Sequence, residues 1–341
     1  MFLTKRLPSV AALAILTTLC QAADSPKEYS AEAPAKSAWP IKPEALAFSP
    51  DGKLLAVADA RHEVSVIDLS SGGVRQQLKG AKLPIVMIAI SSQGVLATAG
   101  VVNVRNAAGE GTLFEVLVWE HGTQKARVEM TDPHWRPTEE LRAFVTFSAD
   151  GGLLAFKGKD RNIEIYEVGP WRYKQSVKSR IDPAVAAFAP SNQQIAVGSQ
   201  EGDFSGFCEV YNLDGSPERH VTHPYSPALD LTWRDELVVA FKDMAYCFDL
   251  RKPPAQLDEV KAFWGRPGPM DLRAAVFDIS ADGTRAAYRA KDRATVLDVR
   301  SGRVVWVKDD LAGPLAISAD GRRIASGTRS GTTALFSVSG P

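Results

Sequence analysis

The chain has 341 residues, 45% of them hydrophobic, 23% charged and 8% aromatic, and its 40 basic and 40 acidic side chains give a formal net charge of zero. These values fit a globular protein and exclude a disordered or collagen-like chain. A neutral chain also lacks the general attraction to phosphate on which nucleic-acid binding relies.

Residues 1–23 read as an address. Lys5 and Arg6 make a positive start, Leu7 to Cys20 is an apolar run, and CQAA follows. This is the layout of a secretory signal, with cleavage after Ala22 or Ala23. The apolar run is shorter than the roughly 20 residues of a membrane span, so an uncleaved anchor is the weaker alternative. Cys20 raises a lipoprotein alternative, but Leu19 stands where a small residue is wanted before a lipidated Cys. Residues 24–36 are polar and Ala/Pro-rich and read as a linker. The expected location is periplasmic or secreted, with no membrane span once the signal is removed.

From residue 37 to the end one phrase returns: an apolar run, a small residue, a tight turn, a second apolar run. It stands as ALAFSPDGKLLAVA from Ala45, IAISSQGVLATAG from Ile88, VTFSADGGLLAFKG from Val145 and AAFAPSNQQIAVGS from Ala186. It returns as DLTWRDELVVAFK from Asp230, FDISADGTRAAYRA from Phe277 and LAISADGRRIASG from Leu315. Taking Ser49, Ser91, Ser148, Ala189, Trp233, Ser280 and Ser318 as equivalent landmarks, the period is about forty residues. Each copy continues into a β-rich run such as VSVIDL or TVLDV, then a turn, then another run such as RVVWV. One copy is therefore four strands, and there are seven copies. The predicted fold is all-β: a seven-bladed β-propeller of four-stranded antiparallel blades over residues 37–341. A four-stranded sheet with apolar side chains on both faces needs a neighbour on each side, and radial stacking supplies it. The last copy stops after its third strand, so residues near Ser37–Ile41 are expected to complete the last blade, with Trp39 buried there.

These phrases resemble the WD-repeat family. FSPDGKLLA and FSADGGLLA match its first hairpin, and IDL, WEH, YEV, YNL, FDL, LDV and FSV stand where it carries Trp-Asp. The chain departs from the family in that only Trp119-Glu120 approaches that pair and the Gly-His pair is missing throughout. The buried network those residues build is therefore expected to be absent or replaced. The hairpin phrase is also similar to that of TolB-type periplasmic propellers. Both resemblances imply a binding scaffold without chemistry of its own.

Loops one–two and three–four of a meander blade share one rim and are short here. The insertions fall in loops two–three and four–one, on the opposite rim: GVVNVRNAAGEGT and TDPHWRPTEELR in the second copy, SQEGDFSGF in the fourth and DEVKAFWGRPGPMD after the fifth. Long loops in compact domains carry function more often than short ones. The expected partner-binding residues are His134, Trp135, Arg136, Phe204, Phe263, Trp264 and Arg266, because Trp and Arg dominate interface energies.

Catalytic and metal-binding patterns are lacking. The five His are scattered, and His220 and His223 have no carboxylate or Cys at ligand spacing. There is no Ca²⁺-loop pattern, nucleophile elbow or phosphate-binding glycine loop, and no basic run for nucleic acid. Two rings of residues on the first strands are expected to face the channel. Counted from the landmarks, Asp230 and Asp278 fall in different rings, point opposite ways and serve as structural acids. Cys208 and Cys247 lie on matching strands of neighbouring blades, about 10 Å apart, too far for a disulfide. The expectation is a monomeric, non-catalytic scaffold for a protein partner, without cofactor or metal. The alternatives are a small-ligand or enzymatic propeller working through its channel, and a structural envelope component.

Overall fold

The computed structural model describes residues 38–106, 109–132, 143–199, 206–223, 228–233, 237–241, 245–248, 261–262, 276–299 and 301–338. The segments read from the sequence as a secretory signal (1–23) and a linker (24–36) lie outside them. A two-residue strand, β1 (Ala38–Trp39), comes first. The first sheet holds β2 (Ala45–Phe48), β3 (Leu54–Ala58), β4 (Val64–Asp68) and β5 (Gly73–Leu78). The second holds β6 (Ile85–Ile90), β7 (Leu96–Asn106), β8 (Gly109–Glu120) and β9 (Thr123–Asp132). The third holds β10 (Val145–Phe147), β11 (Leu153–Lys157), β12 (Asn162–Glu167) and β13 (Arg172–Lys178). The fourth holds β14 (Pro183–Phe188), β15 (Gln194–Ser199), β16 (Gly206–Asn212) and β17 (Pro217–His223). The fifth holds β18 (Ala228–Trp233), β19 (Leu237–Phe241), β20 (Ala245–Phe248) and β21 (Lys261–Ala262). The sixth holds β22 (Val276–Ile279), β23 (Arg285–Ala290), β24 (Arg293–Asp298) and β25 (Val304–Lys308). The last three strands are β26 (Leu311–Ile317), β27 (Arg323–Thr328) and β28 (Thr333–Ser337).

Among the described residues these strands make seven four-stranded sheets, six of them simple antiparallel meanders. The remaining sheet runs β1-β28-β27-β26, with Ala38 opposite Ala334 and Trp39 opposite Thr333. The first strands lie side by side from β2 through β6, β10, β14, β18, β22 and β26, and β26 also lies against β2.

The recurring phrase forms a hairpin for local reasons. Ser49 Oγ donates to Asp51 at 2.6 Å and accepts from the Leu54 N–H at 2.9 Å. Ser148 with Asp150, Ser280 with Asp282 and Ser318 with Asp320 repeat the arrangement. The serine hydroxyl thus takes over a backbone partner inside the turn, and the carboxylate fixes the hydroxyl. The following glycine has positive φ, 67° at Gly52 and 74° at Gly151, where a Cβ is disfavoured. At the turn between strands three and four, Trp171 (φ 50°) takes the place of Gly72 (φ 69°) and Gly302 (φ 67°). Its ring packs into the cluster between the second and third sheets, which offsets a backbone cost of about 1–2 kcal/mol.

Side chains alternate across each strand, and both faces are apolar. Leu55, Ala56, Val57 and Ala58 are all fully buried. Ala56 and Val66 pack with Ile88, Leu96 and Leu117 of the second sheet. Leu55, Val57 and Ile67, on the other face, pack with Ala325, Leu335 and Trp39. The same sheet-on-sheet pattern joins the second to the third, the third to the fourth and the sixth to the seventh. No sheet could keep both faces dry alone.

The structure corrects two sequence expectations. The GVVNVRNAAGEGT insertion is not a loop. It is the continuation of β7 and β8, paired from Val101 opposite Phe114 to Asn106 opposite Gly109. β9 follows alongside as far as Asp132 opposite Thr112, while β6 stops at Ile85 opposite Gly100. Alternating Val, Thr and Phe side chains sustain the pairing.

The second correction concerns the fifth copy. Trp233 stands opposite Leu237 at the end of its hairpin, as Phe48 stands opposite Leu55. The β-bulges before Met87 and Val185 lie four residues ahead of the landmarks Ser91 and Ala189, and the corresponding bulge in β18 precedes Asp230. The fifth landmark is thus position 234, and the phrase LTW matches LAF and VTF. Asp230 and Asp278 then lie an even number of positions apart along equivalent strands and share a face.

Candidate functional site

The sequence-predicted partner residues His134, Trp135, Arg136, Phe204, Phe263, Trp264 and Arg266 all lie outside the described residues. What is described of the same rim begins with the β7–β8–β9 ribbon. Its six residues beyond Gly100 reach about 20 Å at 3.4 Å per residue. Near β1, a hollow of about 440 Å³ opens between Trp39, Pro40, Lys42, Asp59, Arg61 and Val74. Arg61 is held to Asp59 at 2.9 Å and flanked by Glu63 at 3.7 Å, so its charge is already matched.

Buried polar side chains tie the crossings between sheets. Glu115, on β8, is 2% exposed and accepts from the Lys82 and Leu83 N–H groups at 2.8 and 3.3 Å and from Arg127 at 2.6 Å. Tyr211, on β16, accepts the Arg180 N–H at 2.9 Å and donates to the buried Glu209. Lys157, on β11, bonds Asp182 at 2.7 Å beneath the crossing into the fourth sheet. These contacts are made by residues other than the Gly-His and Trp-Asp pairs that the sequence lacks. In the sequence these residues stand as single charges inside apolar runs, TLFEVLVW and LLAFK. Positions that recur from copy to copy do not include them, so a reading of the repeat alone misses them.

On the first strands, Ala47, Ala89, Ala187 and Ala316 carry nothing ionisable, whereas Asp230 Oδ2 accepts the Ile279 N–H and Asp278 Oδ2 the Ile317 N–H, each at 2.7 Å. Their expected divergence is overturned, because the bulge in β18 sets both carboxyls on one face. Burial, and then the Asp230 charge, push the Asp278 carboxyl well above the ordinary carboxylate range. Among the described residues no group of three His, Cys, Asp or Glu is placed to hold a metal ion. Among the same residues no helix is long and apolar enough to cross a membrane.

Cys208 is a free, fully buried thiol, and burial pushes its pKa up to about 12. The Cys247 side chain lies outside the described residues. In a Cys20→Ser/Cys247→Ser variant, Cys208 should ignore Ellman's reagent in the folded state and react fully in denaturant. Complete labelling of this folded variant within minutes at neutral pH contradicts this burial.

No family model matches the chain. An uncharacterized WD repeat-containing protein of Synechocystis sp. is 28% identical over 160 residues, covering 46% of this chain and 40% of that relative. The match thus spans less than half the length of that relative. Among solved structures, the β-propeller domain of Myceliophteria thermophila Cps50 (Swd1) superposes with a TM-score of 0.65 at 13% identity, over 87% of this chain and 97% of that one. The chain has the fold of a β-propeller, and its repeated phrases are similar to those of a WD repeat-containing protein. Kuenenia stuttgartiensis hydrazine synthase superposes with a TM-score of 0.64 at 12% identity, over 93% of this chain and 99% of that one. The propeller's sheets are its blades, and the rim bearing the ribbon is the one that carries loops two–three and four–one.

Proposed function

We propose that the protein is a non-catalytic scaffold that docks a protein partner on the rim carrying its insertions. In this reading the seven sheets form a seven-bladed ring closed through β1, exported to the periplasm or beyond, and working as a monomer. The observation that supports it is the ribbon of β7, β8 and β9, which extends out of a connection between second and third strands, one of the two classes of connection in which the sequence carries its insertions. His134, Trp135, Arg136, Phe204, Phe263, Trp264 and Arg266 belong to insertions on that rim and supply the anchor chemistry. The contact of β26 with β2, and the pairing of β1 with β28, support closure.

The second reading, a propeller acting through its channel, is favoured by the Asp230–Asp278 pair, and hydrazine synthase is an enzyme by name. Against it, each carboxyl is already engaged by a backbone N–H of the next blade, which leaves little capacity for a substrate.

Affinity capture from an envelope extract, with wild type and Trp135→Ala/Trp264→Ala compared side by side, tests the scaffold reading. Loss of two anchors of about 2 kcal/mol each should abolish retention of a partner that binds wild type. Equal capture by both proteins removes the site assignment.

A further inference from the structure

We infer that the hollow beside β1 is a binding site for a small monocarboxylic acid with a compact apolar body. The inference does not rest on the docking of a protein partner. The hollow holds about 440 Å³, within the roughly 300–1,000 Å³ of small-molecule sites. One wall is the outer half of the first sheet. Across β4 and β5, Ser65 stands opposite Gln77 and Ile67 opposite Val74. Ser65 and Ile67 are two positions apart and share a face of the sheet. Ile67 packs on Trp39, so this face looks toward β1. β1 ends after two residues, and Trp39 to Lys42 form the other wall.

The polar groups of the hollow fall into two sets. The first set is satisfied. Asp59 accepts the Arg61 and Glu63 N–H groups at 2.9 and 3.1 Å, and the Arg61 guanidinium at 3.0 and 2.9 Å. Glu63 holds Lys79 at 3.0 Å. The second set is open. Ser65 is 7% exposed, and no described residue hydrogen-bonds its hydroxyl. A polar group that far from water normally has a partner. The Gln77 amide and the Lys42 ammonium likewise have none among the described residues.

This open set is rich in donors. Lys42 offers only N–H donors, Gln77 offers an NH₂ group, and Ser65 offers its O–H. Among the charged lining residues, Lys42 and Arg61 against Asp59 leave a net charge of +1 (two cations, one anion). Unpaired donors around one unmatched cation select acceptor oxygens that carry a single negative charge, which is a carboxylate. A phosphate carries about −1.5 to −2 and favours the guanidinium fork. Here that fork is already engaged by Asp59. Pro40, Ile41 and Val74 add apolar surface, and Val74 leaves 47% of its own exposed. An apolar body attached to the carboxylate covers that surface. The head thus meets Ser65 and Lys42, and the body lies against Ile41 and Val74.

Isothermal titration of the purified protein with 3-phenylpropionate and with 4-methylpentanoate tests the site. At least one acid should bind at a single site with a Kd of about 1 mM or tighter. Lys42→Met keeps most of the stem, removes the charge and should weaken that acid about tenfold. Lys42 is exposed, so this variant keeps the fold. Ser65→Ala should weaken the acid about threefold and leave the urea midpoint in place, because the hydroxyl bonds no described residue. The amide made from the same acid should bind at least about tenfold more weakly, since it lacks the charge. Saturable binding by neither acid up to about 10 mM overturns the proposal. Equal affinity of wild type and Lys42→Met, or of acid and amide, overturns it as well.

Discussion

Replacing Trp39 by Ala should cost about 3–5 kcal/mol of folding stability, the usual range for emptying a buried Trp site. Trp39 is one of the two residues of β1 and is 3% exposed. Its ring fills the space between Leu55, Val57 and Ile67 of the first sheet and Ala325 and Leu335 of the last. Its indole N–H donates to the Gly72 carbonyl at 2.9 Å, so truncation leaves that acceptor unmatched as well as opening a cavity. The local pairing depends on it: Thr333 lies opposite Trp39 and its hydroxyl donates to the Ile41 carbonyl at 2.7 Å. A domain is stable by only about 5–15 kcal/mol, so this one side chain sets a large share of the total. Urea unfolding followed by circular dichroism reads the loss directly. Trp39→Phe should recover most of it, lacking the hydrogen bond of about 1 kcal/mol. A Trp39→Ala loss below about 1 kcal/mol shows that the seam between β1 and its neighbours does not hold the fold.

The second large effect is expected at Glu115. Replacing it by Ala removes the acceptor for two backbone N–H groups and for Arg127 from a site where the carboxylate is 2% exposed. Breaking a buried pair from one side costs about 3–5 kcal/mol. The lower end is expected here, because the Arg127 side chain is 23% exposed and keeps Glu129 at 3.1 Å. Glu115→Gln retains an acceptor for the Lys82 and Leu83 N–H groups and gives up the charge, so a loss nearer about 1–2 kcal/mol is expected. Unfolding midpoints should therefore fall in the order wild type, Gln, Ala. An Ala variant within about 1 kcal/mol of wild type means that the crossing into the second sheet is held by packing alone.

The hairpins, the sheets and the terminal strand are legible in the sequence because each rests on short-range chemistry written in consecutive residues. Ser49 needs only Asp51 and Leu54, and Gly52 needs only its own φ. Apolar alternation on both faces of LLAVA is likewise local, and it already states that a sheet must be covered twice. The β7–β8 ribbon is not legible in the same way, because a strand that continues past its sheet looks, residue by residue, like a loop containing Gly and Asn. Register in the fifth copy slips by one step because its hairpin has a shorter turn than the others. A one-residue slip moves every side chain to the other face.

The sequence by itself determined the repeating unit, its turn chemistry and its need for company, since all three follow from contacts between residues close in the chain. Only the tertiary structure decided which partners the solitary charges find. Asp230 finds the Ile279 N–H across 49 positions, and Glu115 finds the Lys82 N–H across 33. Such pairings depend on how adjacent sheets stack and on where a bulge shifts the pleat. No periodicity in the sequence reports those long-range geometric facts.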